Sequence, residues 1–420
     1  MKINFDYYKG EDLYSDGDIE DEIINYIDKF PEEEYEKIFE NDMRWPVFYH
    51  LTQIRQNILN WYDFSKGCDV LEIGAGMGAI TGVLCKNAKS VTSVELSKRR
   101  ATAISKRHKD KENLEIIVGN LNDIKFDKKF DYITLIGVFE YAALFTDSQN
   151  PFVDFLKNIA KLLKENGKIL IAIENKFGLK YFAGAVEDHT SVKYDGILGY
   201  NNKIGPQTFG KEELISIFGQ AGLNNVKFYY TLPDYKLPNV VFSDNYLPDE
   251  EMIEKYYDTY YYENTKLNFN EKKAYKEIIK NNKFDFFSNS FFIECSKEQI
   301  EENVEFALFN SLDKIQNINV IKCKNNKYYD EKIELNKKNK SEEIVNEYLE
   351  RIEDTKNNNN EYIKFFKKDY INIEDEIYNL KEQIRVLEQN NLTLNDELEK
   401  VYHSRSWRYT NILRKLKKKK

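Results

Sequence analysis

The chain has 420 residues, enough for two domains or for one domain with extensions, and 41% of them are apolar, enough for a real core. Its 71 acidic and 62 basic residues leave a net charge of −9, which argues against nucleic acid as a partner, because phosphate backbones are normally met by a basic face. The four cysteines, Cys68, Cys85, Cys295 and Cys323, show no CxxC spacing, so reduced thiols in a cytoplasmic protein are expected, with neither a zinc site nor a disulfide framework.

The first residues are polar and acidic, unlike a signal peptide. No run of 18 apolar residues occurs, so no membrane-spanning helix is expected. A helix is predicted near 19–40 and a second over 48–64. Strands and helices then alternate: strands at 69–74, 90–96, 113–120, 130–138 and 168–175, with helical patterns between them, the last running from Pro151 to Gly167. Apolar strands separated by helices mark a parallel sheet covered on both faces. A helix at 211–222 and a strand at 225–232 follow. A segment rich in Tyr, Glu and Lys looks helical and inserted, and 286–296 reads as a last strand returning antiparallel. Residues 318–333 resemble a hairpin turning at Lys324–Lys327, and about 334–370 read as a polar linker.

Residues 373–401 keep a 4-3 apolar spacing: Ile373, Leu380, Leu387, Leu394 and Val401 fall at d, and Ile377, Ile384, Asn391 and Leu398 at a. Asn at one a position, with Ile at a and Leu at d, favours a parallel two-stranded coiled coil, hence a homodimer. Eight Lys and Arg in the last sixteen residues, interleaved with Trp407, Tyr409, Ile412 and Leu413, suit peripheral contact with an anionic membrane surface. The expected organisation is an acidic helical extension (1–64), an α/β domain (65–300, with an insertion at about 240–287), a hairpin and linker (301–370), a coiled coil (371–403) and a basic tail (404–420).

The informative run is Leu71-Glu72-Ile73-Gly74-Ala75-Gly76-Met77-Gly78. A glycine turn between strand and helix lets a ligand approach backbone N–H groups that a Cβ would block. Glu95 follows 21 residues after Gly74, at the end of the second strand, where a carboxylate can accept both hydroxyls of a ribose. These features fit either a dinucleotide or S-adenosylmethionine. The GxGxG spacing, Glu72 two residues before the first glycine, Asn120 at the end of the third strand and Gly137-Val138-Phe139-Glu140-Tyr141 at the end of the fourth discriminate between them. This ordered set resembles class I S-adenosylmethionine-dependent methyltransferases over about residues 68–175, with the sheet continuing to about 296. The resemblance implies a Rossmann-like α/β fold, mostly parallel with an antiparallel last strand, and a cofactor held by Glu72, Gly74, Gly76, Gly78, Glu95, Asn120 and Gly137. Family members usually carry Asp where this chain has Asn120.

The acceptor site is expected around the ends of strands four to six. No Asp/Asn-Pro-Pro-aromatic motif follows strand four and no cysteine lies near it, which disfavours methylation of nucleic-acid bases. The run Ile173 to His189 places one of only four histidines after two carboxylates, at the carboxyl edge of the sheet. His189 is the candidate general base for a hydroxyl acceptor, with Glu140, Tyr194 and the Pro233-Asp234-Tyr235-Lys236 run as further candidates. Contiguous Glu187, Asp188 and His189 rarely converge on one ion, so no metal is expected. GVFEYA (137–142), the 172–189 run, PDYKLP (233–238) and the helix carrying Leu51, Arg55, Asn57 and Trp61 resemble a bacterial subgroup of these enzymes associated with surface-polysaccharide biosynthesis. That resemblance implies a saccharide or other small-molecule acceptor and glycosyltransferase partners. Alternatives left open are a protein or metabolite acceptor, and a non-catalytic assembly scaffold.

Overall fold

The computed structural model of the chain describes residues 1–10, 12, 15–201, 205–257, 267–300, 304–313, 317–324, 327–334 and 338–340. The coiled coil, the basic tail and nearly all of the linker lie outside the described residues.

The parallel half of the sheet is built from β1 (Lys2–Tyr7), β2 (Asp69–Ile73), β3 (Ser90–Glu95), β4 (Leu114–Gly119), β5 (Phe130–Ile136) and β6 (Leu163–Glu174). The antiparallel half adds β7 (Asn225–Leu232), β8 (Val240–Ser243), β9 (Ser290–Ser296), β10 (Phe306–Asp313), β11 (Asn317–Lys324), β12 (Lys327–Glu334) and β13 (Lys338–Lys340). Among the described residues they form one sheet, in the order β1-β4-β3-β2-β5-β6-β9-β7-β8-β10-β11-β12-β13. Strands β2 to β6 bury apolar side chains on both faces, among them Val70, Leu71, Val91, Ile116, Ile133, Leu135, Ile169 and Ile171. That two-sided burial is why their sequences are continuous apolar runs rather than alternating ones.

The chain order reverses between β2 and β5, which pair in parallel, with Ile73 opposite Leu135. Beyond the carboxyl ends of such neighbouring strands the helices diverge and leave a crevice, and the glycine turn and the residues after β5 meet there.

The structure departs from the sequence reading in several places. The N-terminal extension is not wholly helical: Lys2–Tyr7 pairs in parallel with β4 and forms the sheet edge. The expected 48–64 helix is three short pieces, Trp45–Leu51, Gln53–Gln56 and Asn57–Asn60. The break falls at Thr52, whose extended backbone and hydroxyl, accepting from the Ile54 N–H, start a new turn. The helix expected to end at Gly167 ends at Ala160, and β6 begins at Leu163. β9 pairs antiparallel with β7 as expected, and also with β6, so it lies between them. The insertion contains a strand, β8, before its helices at Glu250–Tyr256 and Glu271–Lys280. β11 and β12 form the hairpin read at 318–333. No helix among the described residues is long and apolar enough to cross a membrane.

Candidate active site

Beyond the ends of β2 and β5 lies a cavity of about 490 Å³, within the range of small-molecule and cofactor sites. Its cofactor end is the glycine turn. Gly74, Gly76 and Gly78 all have positive φ, at +71°, +57° and +81°. The first two carry different constraints. A Cβ on Gly74 would stand 2.5 Å from Val138 Cγ2, so that glycine lets the turn pack on the strand-five loop. A Cβ on Gly76 would meet nothing within 4 Å, so that glycine keeps open the space above the turn.

The turn is held by Glu95, whose Oε2 accepts from Gly76 N–H (2.7 Å) and Oε1 from Ser97 N–H (2.9 Å). Burial raises the Glu95 pKa, while Arg100 and these N–H groups oppose it. Beneath the turn, His108 Nε2 lies 2.8 Å from the Gly78 carbonyl. Burial holds the His108 pKa down at about 4, so the ring stays neutral and Nε2–H donates. Glu72 lines the cavity but is buried, and its Oε2 accepts from Thr81 Oγ1 (2.8 Å) and Ser93 Oγ (2.5 Å). It ties β2 to β3 and to the helix Thr81–Asn87, and burial pushes its pKa up to about 7. Asn120 lines the cavity, its Oδ1 accepting from Asn122 N–H. Gly137, at φ +68°, also lines it, and a Cβ there would lie 2.7 Å from Tyr235 Oη.

The other end of the cavity is acidic. Glu140, Glu174 and His189 converge: His189 Nε2 is 3.5 Å from Glu140 Oε1 and 3.9 Å from Glu174 Oε2. His189 Nδ1 is 3.1 Å from Glu187 Oε1, and the Tyr141 ring meets the imidazole edge-on. Burial disfavours the charged imidazole, but Glu174, Glu140 and Glu187 outweigh it and hold the His189 pKa well above the usual value. Glu140 is pushed up by burial and by Glu174. A ladder of buried ion pairs continues from Glu174: Lys236 Nζ bridges Glu174 and Asp188, and Lys180 Nζ bridges Asp188 and Asp234, at 2.9 Å each. It ties the 187–189 loop, the end of β6 and the PDYK run to one another.

Tyr194 is a correction to the sequence reading. It does not line the cavity: it sits at φ +66°, 37% exposed, with its hydroxyl accepting from Asn268. The antiparallel bridge between Val186 and Lys193 turns the chain away just before it. The sequence had marked Arg55 only as part of a helix pattern. Leu51, Asn57 and Trp61 of that pattern are buried framework, Asn57 donating to the Pro238 carbonyl and Trp61 packing on Tyr229 and Phe292. Arg55 instead lines the cavity, 6% exposed, its guanidinium 3.8 Å above the Tyr49 ring and its Nε and Nη1 without a hydrogen-bond partner.

Residues 71–171 match the family model of a methyltransferase domain. The curated relatives include a ubiquinone biosynthesis O-methyltransferase of Pelagibacter ubique, 33% identical over 113 residues that make up 26% of this chain and 44% of the relative. Another is a malonyl-[acyl-carrier protein] O-methyltransferase of Priestia megaterium, 26% identical over 167 residues, 39% of this chain and 57% of the relative. The chain thus spans about half the length of these relatives. Among solved structures, a chain of the complex between the Haloferax volcanii Trm112 methyltransferase activator and its methyltransferase aligns over 68% of this chain and 100% of that one, with 15% identity and a TM-score of 0.38.

Residues 71–171 thus carry a methyltransferase domain, and S-adenosylmethionine is its methyl donor. The residues present fit that group. The space over Gly76 is kept clear, Glu95 offers a carboxylate already oriented by two N–H groups, and Arg55 holds unpaired donors for an anionic group.

Proposed function

We propose that the chain is an S-adenosylmethionine-dependent methyltransferase that O-methylates a saccharide or glycan-linked acceptor in cell-surface polysaccharide biosynthesis. Bound S-adenosylmethionine supplies an electrophilic methyl on a sulfonium, a good leaving group, so the protein's task is to align the acceptor and manage its proton. Glu95 takes the ribose hydroxyls, Asn120 the adenine edge, and Arg55 the methionine carboxylate. The observation that carries the reading is the convergence of His189, Glu140 and Glu174 in the cofactor cavity. An oxygen acceptor must lose a proton, and the buried carboxylates beside His189 are placed to receive it. Trp45 and Tyr49, stacked at 5.5 Å between ring centres and both lining the cavity, suit the apolar face of a sugar ring. The two curated relatives described above are O-methyltransferases by name, which also supports oxygen. On its sequence alone, the 373–401 heptad suits pairing of two copies and the basic tail suits an anionic membrane surface, beside which glycosyltransferases would work.

The test is incubation of the purified chain with methyl-labelled cofactor and a panel of nucleotide sugars, glycan fragments, protein extracts and small metabolites. Label in a saccharide, lodged on oxygen by mass spectrometry, is the expected result. Label confined to protein or non-sugar metabolites overturns the acceptor assignment.

A further inference from the structure

The geometry points to a divalent transition-metal site formed by Glu140, Glu174 and His189. Each offers one ligand atom, and the three atoms lie within 4.8 Å of one another. Glu140 and Glu174 are 1% and 0% exposed, yet the Oε2 of each has no hydrogen-bond partner. Leaving two buried carboxylate oxygens unmatched costs several kcal/mol unless a ligand satisfies them. The surroundings need a cation as well. Around His189 the carboxylates of Glu140, Glu174, Glu187, Asp188 and Asp234 face two ammonium groups, those of Lys180 and Lys236.

A proton on His189 Nε2 would answer this poorly. At 3.5 and 3.9 Å both contacts are longer than an ordinary N–H···O bond, and one N–H cannot serve both oxygens. An ion answers it directly. With bonds of about 2.1 Å, neighbouring donor atoms around a metal stand roughly 3 to 3.4 Å apart, so closing the trio takes only small side-chain shifts. The tautomer is also prepared. Glu187 Oε1 lies 3.1 Å from His189 Nδ1 and is further fixed through its Oε2, which accepts from His189 and Thr190 N–H. With an ion in place of the Nε2 proton, Nδ1–H would donate to Glu187 and the Nε2 lone pair would face the metal between Glu140 and Glu174, the carboxylate–histidine–metal arrangement. One imidazole with two carboxylates selects Mn²⁺ or Zn²⁺ over Mg²⁺ and Ca²⁺, which prefer all-oxygen shells. Three protein ligands leave open positions for an acceptor oxygen, so His189 serves the hydroxyl through the ion. That last link rests on the function proposed above; the site itself does not.

The experiment is a Mn²⁺ titration of the full chain after chelator treatment, read by the electron-paramagnetic-resonance signal of free Mn²⁺, with a parallel Zn²⁺ titration by calorimetry. Both are run without acceptor. One ion per chain is expected, weakened about 100-fold in Glu174→Gln and His189→Gln and about 10-fold in Glu187→Gln. Thermal melting and S-adenosylhomocysteine binding establish that each variant is folded. Absence of stoichiometric uptake of either ion up to millimolar concentration, or equal uptake by wild type and folded variants, overturns the site. A wild-type chain that takes up the ion but methylates no saccharide in the labelled-cofactor assay overturns the acceptor assignment and leaves the metal site standing.

Discussion

Replacing Glu95 tests the cofactor end most directly. Its carboxylate is 4% exposed and locked by Gly76 and Ser97 N–H groups, so under the proposed ribose contact it needs no further ordering. Two neutral hydroxyl donors meeting a charged acceptor in a buried site, less the solvation they give up, are worth roughly 2 kcal/mol in total. Glu95→Ala should therefore weaken binding by about 30-fold, at 1.4 kcal/mol per decade. Glu95→Gln keeps one acceptor oxygen and loses the charge, so it should fall between wild type and the alanine variant. The assay is isothermal calorimetry with S-adenosylhomocysteine on all three proteins, with melting curves to show that the turn has not collapsed. An alanine variant that is folded and binds within threefold of wild type would refute the ribose assignment.

Gly76→Val should abolish cofactor binding and lower the melting temperature only by the strain of a side chain at φ +57°, since its Cβ meets nothing, whereas Gly74→Ala adds a Cβ 2.5 Å from Val138 Cγ2 at φ +71° and should lose stability to a clash as well; thermal melts paired with calorimetry check both. His189→Ala should cut turnover by about 10²-fold with cofactor affinity held within about threefold, and a loss smaller than fivefold would make His189 purely structural. Glu72 predicts a pH effect on stability. Its pKa rises from 4.5 to about 7 on folding, so the folded state resists ionising it. The cost is absent below pH 4.5, grows from there to pH 7, and levels off above it at about 3 kcal/mol. Urea melts of wild type and Glu72→Gln should diverge in that window to the variant's advantage, and a pH-independent difference would sink this account.

The glycine turn was legible in the sequence because its parts are nearly contiguous. Strand, glycines and helix follow one another, and Glu95 ends the strand paired beside β2. The acceptor end was only half legible. His189 and Glu140 could be named, but their meeting with Glu174 depends on three chain segments converging, and Tyr194, five residues beyond His189, turns away. Arg55 carries no local mark, since its significance is that its Nε and Nη1 are buried without a hydrogen-bond partner, which only the packed structure reveals. β1 was missed because six residues at a sheet edge take their structure from a distant partner, β4, rather than from their own pattern. The helix expected over 48–64 satisfied the right period and still broke, because the Thr52 cap outcompetes continuation.

The buried ladder from Asp234 through Lys180, Asp188 and Lys236 to Glu174 has a consequence for how the protein responds to ionic strength. Exposed pairs such as Lys2–Glu115 and Arg44–Glu22 are reached by counterions and weaken as salt shortens the Debye length from about 10 Å at 0.1 M to about 3 Å at 1 M. The ladder is closed to those ions, with Lys180 and Asp188 side chains each only 9% exposed. Concentrated electrolyte should therefore loosen the outer surface of the N-terminal extension well before it disturbs the acidic end of the cavity. The shape of that end is thereby decoupled from the ionic composition of the surrounding medium.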